Sequence, residues 1–227
     1  MNTKILNILC EGQTEERFAN LVLKPYLKDY GIIVKCRLLI TSKRKNAAGG
    51  IISYTQVKGD LQKWMREVSG RNSETNYFST MFDFYALPND FPGYNAAVKI
   101  QDDYLKVETL EKSFSADMSC NVFVPYIQLH EFEALLFTDI EKLADKYPDS
   151  RKNIQKLAKI LPSFSNNPEL INTKPETAPS RRIIQAVEKN YHYNKPQGAE
   201  SALAIGLHNI LKMCRHFREW TDKLISL

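Results

Sequence analysis

Short apolar runs alternate with amphipathic stretches along the first 140 residues of the chain. Each run has the length of one buried strand. The runs are residues 4–10, 31–40, 77–84 and 121–129. Helical periodicity separates them, at about 14–29, 51–69 and 94–114. Strands that alternate with helices predict βαβ units, so we expect an α/β fold with a mainly parallel, four-stranded sheet flanked by helices.

The strand pattern stops after Phe137, and only helical pieces follow, separated by loops that contain proline. These pieces lie at about 139–147, 150–160, 180–190, 199–212 and 214–226. We therefore predict an α/β core over residues 1–140 and a helical C-terminal extension over 141–227 that packs on the core. The two parts form either one compact unit or two tightly joined ones.

The composition is that of an ordinary globular protein, with 227 residues, 43% hydrophobic and 25% charged. No apolar run approaches the roughly 18 residues that a membrane span needs. Glu11 interrupts the N-terminal apolar run and no small-residue cleavage site follows, so a secretory signal is not expected. Cys10, Cys36, Cys120 and Cys214 form no C-x-x-C pair, which is typical of free thiols in a reducing cytoplasm. The sequence thus predicts a cytoplasmic protein.

The net charge of +5 is unevenly distributed. Residues 1–149 carry 18 basic and 20 acidic side chains, whereas residues 150–227 carry 13 and 6. A smaller basic cluster, Lys43-Arg44-Lys45, lies in a polar loop after the second strand. A solvated basic helical layer is the simpler explanation of the charge alone. A basic face beside an acidic pocket also suits a polyanionic substrate held near bound metal.

Acidic residues follow the predicted strands. Glu11 ends the first strand, Glu15 lies four residues later in the first helical turn, and Asp83 ends the third strand. The carboxyl ends of parallel strands are where open α/β sheets bind ligands, and carboxylates are the ligands of hard cations such as Mg²⁺. Complementation of the helix dipole also explains Glu15, but it does not explain Glu11, which precedes the helix. Asp90 lies in the turn after Asp83, and ordinary turn chemistry accounts for it.

The fourth strand leads into His130-Glu131-Phe132-Glu133. This is not a His-Glu-x-x-His zinc motif, because position 134 is Ala. A lone histidine is more often structural than a ligand, yet this segment ends at the same sheet edge as Glu11 and Asp83. The chain contains no phosphate-binding P-loop, no G-x-G-x-x-G loop and no G-x-S-x-G elbow. Nucleotide hydrolysis, dinucleotide binding and serine hydrolysis therefore lack their usual motifs.

A strand ending in Glu-Gly, a second acid four residues later and a later strand ending in Asp resemble the TOPRIM domain of topoisomerases, primases and overcoming-lysogenization-defect nucleases. More closely, nearly the whole chain resembles the bacterial family called domain of unknown function 4276, which is regarded as TOPRIM-like. The motifs that carry this resemblance are CEGQTEERF (10–18), FDFY (82–85), FPG (91–93), YIQLHEFEALLF (126–137), PETAPS (175–180) and CRHF (214–217).

The resemblance implies a Mg²⁺- or Mn²⁺-dependent nuclease that cuts DNA or RNA. Glu11 would act as ligand or proton carrier, with Glu15 and Asp83 as ligands. The family pattern has a second aspartate where this chain has Tyr85, so Glu133 or Asp90 would have to substitute, or the site holds one metal ion or serves binding alone. His130 and Glu131 would be supporting residues.

The resemblance also implies partners. Family members are often encoded beside an ATPase in apparent phage-defence loci, so an ATPase is an expected partner. Lys43, Arg44, Arg181 and Arg182 are predicted to hold nucleic-acid phosphate, although 175–182 is equally well explained as a structural cap and packing clip. The sequence leaves a homo-oligomer open. The alternative function is a non-catalytic sensor or regulatory subunit of an ATPase complex with a degenerate metal site.

Overall fold

The computed structural model describes residues 2–39, 51–70, 73–172, 175–188 and 191–227. The strands in these ranges are β1 (Thr3–Cys10), β2 (Ile32–Leu38), β3 (Glu74–Asp83), β4 (Phe123–Val124) and β5 (Ile127–Gln128). The α-helices are α1 (Gln13–Phe18), α2 (Lys24–Lys28), α3 (Tyr54–Val68), α4 (Tyr94–Ala97), α5 (Asp103–Met118), α6 (Arg151–Ala158), α7 (Pro179–Val187), α8 (Gln197–Ile205), α9 (Leu207–Met213) and α10 (Arg215–Ile225). A π-helical turn covers Ala19–Leu23, and 3₁₀-helices cover Phe84–Ala86, Phe132–Thr138, Ile140–Asp145, Pro148–Ser150, Leu161–Phe164, Pro168–Leu170 and Pro175–Thr177.

The strands form one sheet with the order β2-β1-β3-β4. Strand β5 also pairs with β3, at Phe82 and Asp83, which come after the residues of β3 that pair with β4. Every pairing among the described strands is parallel. This confirms the predicted mainly parallel sheet. The predicted fourth strand is two short strands, β4 and β5, because Pro125 between them has no N–H for the ladder.

The two faces of the sheet are covered by different helices. Leu6 and Ile8 of β1 pack with α1, α2 and the C-terminal helices, whereas Leu9 packs on the other face with α3 and α5. This alternation follows from the two-residue period of a strand. Because both faces are buried, β1 is almost continuously apolar in sequence, as parallel strands usually are.

The C-terminal helices share their core with the sheet. The ring of Phe18 in α1 contacts both Phe132 and Phe217, with centroids 5.2 and 5.8 Å away. The indole of Trp220 in α10 donates to the Ser79 hydroxyl on β3, with 3.0 Å between nitrogen and oxygen. The α/β fold with a helical C-terminal region is therefore confirmed, and the division into 1–140 and 141–227 stays a prediction.

Three predicted helices are interrupted, two of them for identifiable reasons. The helix expected at 14–29 contains the π-helical turn immediately before α2, where Pro25 lacks the N–H that would continue the regular pattern. The helix expected at 199–212 divides into α8 and α9 at Gly206, whose φ of 87° favours glycine. The helix expected at 94–114 is α4 followed by α5. None of the helices in the described ranges is both long and apolar enough to cross a bilayer.

Candidate functional site

A cavity of about 480 Å³ opens at the carboxyl edge of the sheet. The three acids predicted from the strand ends, Glu11, Glu15 and Asp83, all line it. The remaining lining residues are Gly12, Gln13, Thr14, Leu38, Leu39, Glu133, Lys195 and Pro196. Strands β1 and β3 bring Glu11 and Asp83 together because Cys10 is in register with Met81.

Backbone hydrogen bonds fix the two strand-end carboxylates. The Glu11 amide donates to the Met81 carbonyl, with 3.1 Å between nitrogen and oxygen, which extends the β1–β3 ladder by one bond. The Asp83 amide donates to Glu11 Oε2 at 3.0 Å, and the Phe132 amide donates to Asp83 Oδ1 at 2.9 Å. One carboxylate oxygen of each acid is thereby tied to the backbone of the next element, which fixes its position in the cavity.

Glu15 bends back over the turn between β1 and α1. Its Oε2 accepts from the Gly12 amide at 2.9 Å. A Cβ at position 12 would lie 3.1 Å from that oxygen, so the glycine allows this close approach. The Glu-Gly sequence after β1 thus places two carboxylates, Glu11 and Glu15, on the same side of the turn.

Glu133 is the fourth carboxylate of the cavity. It lies on the 3₁₀-helix Phe132–Thr138 with 1% of its surface exposed. Its Oε1 is buried without a hydrogen-bond partner among the described residues. The same oxygen forms an ion pair with Lys195, whose Nζ lies 3.8 Å away. An unsatisfied buried carboxylate oxygen is costly, and a water molecule or a cation in the cavity would satisfy it.

The electrostatics of the cavity are dominated by the crowding of acids. Burial, reinforced by the charge of Glu15, raises the pKa of Glu11 to about 8. Burial raises the pKa of Glu133 to about 7, although Lys195 opposes the shift. The pKa of Asp83 lies well above its ordinary value because of burial and the charges of Glu11 and Glu15. Such shifts cluster at functional sites, because structural carboxylates are normally paired.

The cavity has the oxygen donors that a hard divalent cation such as Mg²⁺ or Mn²⁺ prefers. The unsatisfied oxygen of Glu133 also fits such an ion. However, no three His, Cys, Asp or Glu side chains in the described ranges are grouped so that they could hold an ion together. Metal binding would therefore require side chains to rotate. The simplest rotations are those of Glu11 and Asp83, each of which accepts a backbone hydrogen bond through one oxygen only.

Sequence reasoning missed Lys195. It lies in the loop before α8, and about half of its side chain is exposed. The pKa of Lys195 is raised, because the neighbouring carboxylates, Glu133 first, outweigh the lowering caused by burial. A single lysine in a polar loop carries no periodic or motif signal, and only the fold brings it 3.8 Å from a residue 62 positions earlier.

Glu131 does not line the cavity, although it is two residues from Glu133. Its two carboxylate oxygens accept from the Ser180 amide at 2.9 Å and the Ser180 hydroxyl at 3.0 Å, which caps the first turn of α7. The motif around Glu131 and the proline-rich motif 175–180 therefore meet in the structure. This contact is the structural cap that the sequence left open for 175–182.

His130 and Asp90 also lie away from the cavity lining. His130 is buried with a positive φ of 63°, and its Nε2 is 3.6 Å from Asp103 Oδ2. Its ring lies beside Tyr85, with centroids 5.5 Å apart. Both carboxylate oxygens of Asp90 accept from the Tyr54 amide, at 3.1 and 3.2 Å, so Asp90 caps α3. Of the two acids proposed to compensate for Tyr85, Glu133 therefore lines the cavity and Asp90 does not.

The predicted phosphate-binding residues are only partly placed. Lys43 and Arg44 lie outside the described residues. Arg181 is exposed on α7. Arg182 donates from Nε to the Thr177 carbonyl at 2.7 Å and packs its guanidinium over the Phe164 ring, 5.8 Å from the centroid. Arg182 thus joins α7 to Thr177 and Phe164, whereas Arg181 is the more exposed of the two arginines.

Comparison with known proteins identifies the family of the chain. The profile of the family described as Domain of unknown function (DUF4276) matches residues 10–225. The chain therefore belongs to this family. No curated protein and no solved structure matches it.

Proposed function

We propose that this DUF4276 protein is a cytoplasmic, divalent-metal-dependent nuclease of TOPRIM type that cleaves phosphodiester bonds in DNA or RNA. The observation that carries the proposal is the convergence of Glu11, Glu15, Asp83 and Glu133 on one cavity at the carboxyl edge of a parallel sheet. The four carboxylates share a single lysine and raise one another's pKa, so a divalent cation that displaces their protons would find oxygen ligands already gathered there.

The residues divide into three tasks. Glu15, Asp83 and Glu133 would hold Mg²⁺ or Mn²⁺, and Glu11 would act as a further ligand or as the proton carrier. A divalent ion bound there would orient the attacking water and neutralise the phosphate charge. Lys195 and the exposed Arg181 would contact phosphate. The phage-defence setting and the ATPase partner are supported by the family resemblance alone and stay predictions.

The first experiment measures Mn²⁺ binding by calorimetry. The double variant Glu11→Gln, Asp83→Asn should bind Mn²⁺ at least roughly ten- to a hundredfold more weakly, because each substitution removes the charge of one ligand. Glu15 and Glu16 provide a matched pair, being adjacent acids on α1 of which only Glu15 lines the cavity. Glu15→Gln should weaken binding and Glu16→Gln should leave it unchanged. Equal binding by all variants would place the metal elsewhere and contradict the proposal.

A second candidate function is a non-catalytic regulatory subunit of an ATPase complex. It is favoured by the engagement of Glu11 and Asp83 with backbone amides and by the lack of a ready-made metal-binding group in the described ranges. If the wild-type protein binds no Mn²⁺ and cleaves no nucleic acid, but co-purifies with an ATPase encoded beside it, this second function replaces the first.

A further inference from the structure

The acidic cavity contains a positive charge of the chain's own. Lys195 is the only basic residue among the cavity-lining residues that the structure describes, against four acids. Its ammonium lies 3.8 Å from Glu133 Oε1. Glu133 itself is buried, and that oxygen lacks a hydrogen-bond partner in the described part of the chain. The lysine is therefore the counter-charge of a buried carboxylate, one oxygen of which has no hydrogen-bond partner in the described part of the chain.

The backbone around Lys195 is fixed on both sides. The Tyr147 hydroxyl accepts from the Asn194 amide at 3.2 Å and donates to the Gln197 side chain at 3.1 Å. The Lys195 carbonyl accepts from the Gly198 amide at 2.8 Å. A Cβ at position 198 would lie 3.0 Å from the Tyr193 hydroxyl and 3.4 Å from Leu136, so glycine allows α8 to begin against the segment that carries Glu133. Hydrogen bonds on both sides thus hold the backbone of Lys195 at the edge of the cavity.

We propose that Lys195 is a tethered counter-cation that competes with the divalent ion for Glu133. The inference rests on the proposed metal site. With no metal bound, the lysine compensates the charge of Glu133. A divalent ion in the cavity would take Glu133 as a ligand, and the lysine would then be free to contact an incoming phosphate. Lys195 is in this view a positioning residue, and it sets the metal concentration at which the site fills.

The proposal predicts opposite effects of one substitution on two properties. Lys195→Met keeps a long, flexible side chain but removes the charge, so it should tighten Mn²⁺ binding by roughly three- to tenfold, given a half-exposed pair. The same variant should be less stable than wild type when metal-free, since Glu133 loses its partner. Lys195→Arg keeps the charge, so its Mn²⁺ affinity and its metal-free stability should both stay at wild-type values.

Controls separate this charge effect from a general one. Lys112→Met removes the same charge from an exposed side chain on α5 that does not line the cavity, and it should leave Mn²⁺ affinity unchanged. In a Glu133→Gln background, Lys195→Met should no longer tighten binding, because the competition is for Glu133. Circular dichroism of each variant establishes that it is folded.

The outcomes distinguish the inference from the proposed function. Calorimetry showing tighter binding by Lys195→Met, abolished in the Glu133→Gln background, supports both. If the wild type binds Mn²⁺ and folded Lys195→Met binds it equally or more weakly, the counter-cation role is wrong while the metal site stands. If neither protein binds Mn²⁺, the metal site is wrong, and the inference falls with it.

Discussion

Glu11 is a carboxylate whose charge destabilises the metal-free fold. Its side chain accepts from the Asp83 amide, but it lies beside Glu15 in a cavity of acids. Its pKa in the folded protein is about 8, mainly because of burial, whereas in the unfolded chain a glutamate has a pKa near 4.5. The folded state thus binds the Glu11 proton more tightly than the unfolded state does. Without metal, this side chain destabilises the fold increasingly as the pH rises from about 4.5 to 8.

Glu11→Gln should therefore stabilise the metal-free protein. Glutamine keeps an oxygen that can accept from the Asp83 amide but carries no charge. The gain in the free energy of unfolding should be near zero below pH 4.5, should grow with pH, and should reach roughly 3–5 kcal/mol above pH 8. Urea denaturation at pH 4.5, 6, 7 and 8.5 in the presence of a chelator measures it.

Glu67 provides a control of opposite sign. It lies on the surface next to Arg37, 2.6 Å away, and this hydrogen bond lowers its pKa. A lowered pKa contributes stability above the unfolded value, so Glu67→Gln should slightly destabilise the protein at neutral pH. A Glu11→Gln variant that is equally stable or less stable than wild type at pH 8.5 would show that the cavity does not disfavour the charged carboxylate.

At the scale of elements, the 3₁₀-helix Phe132–Thr138 and α7 are joined through Glu131. This residue caps α7 by accepting both the amide and the hydroxyl of Ser180. Glu133, two residues later, lies in the cavity instead. The same short segment therefore has a structural acid and a candidate ligand, and substitutions can separate the two roles.

Glu131→Ala should lower the free energy of unfolding by roughly 1–3 kcal/mol, because it leaves the first turn of α7 uncapped and the Ser180 amide unpaired. Its affinity for Mn²⁺ should stay within about twofold of wild type, whereas Glu133→Gln should lose affinity. Ser180→Ala keeps the hydrogen bond from the amide of residue 180 to Glu131 and removes only the bond from the hydroxyl, so it should destabilise the protein less. A folded Glu131→Ala protein that no longer binds Mn²⁺ would place Glu131 among the ligands.

The contrast between Glu131 and Glu133 shows what the sequence can and cannot predict. Glu11, Glu15 and Asp83 were predicted because a strand end and the helix turn that follows it have fixed geometries. Glu131 immediately precedes the 3₁₀-helix Phe132–Thr138 and Glu133 lies within it, and their spacing along the chain does not tell which of the two faces the cavity. Lys195 could not be predicted, since its place depends on the packing of α8 against a distant segment. Local patterns thus gave the sheet and the first acids, and tertiary contacts determined the rest.

At the scale of the molecule, the two predicted parts are tied together by buried polar contacts as well as by apolar packing. Glu111 of α5 accepts from His216 Nε2 of α10 at 2.9 Å and from the Ile127 amide of β5 at 2.8 Å. Glu169, which caps α10 by accepting from the His216 amide at 3.0 Å, also accepts from the Tyr104 hydroxyl of α5 at 2.9 Å. Removal of the C-terminal helices would leave these groups and one face of the sheet uncovered. Such interdependence favours one cooperative unit over two.

The two tryptophans test this cooperativity, because each reports on a different part. Trp64 of α3 packs on Phe78 beneath one face of the sheet, and Trp220 of α10 stacks on Tyr126 beneath the other. In Trp64→Phe the remaining fluorescence comes from Trp220, and in Trp220→Phe it comes from Trp64. Within each variant, the urea midpoint from fluorescence should coincide with that from far-ultraviolet circular dichroism. If the circular dichroism of either variant has two steps and its fluorescence follows only one, residues 1–140 and 141–227 unfold as separate domains.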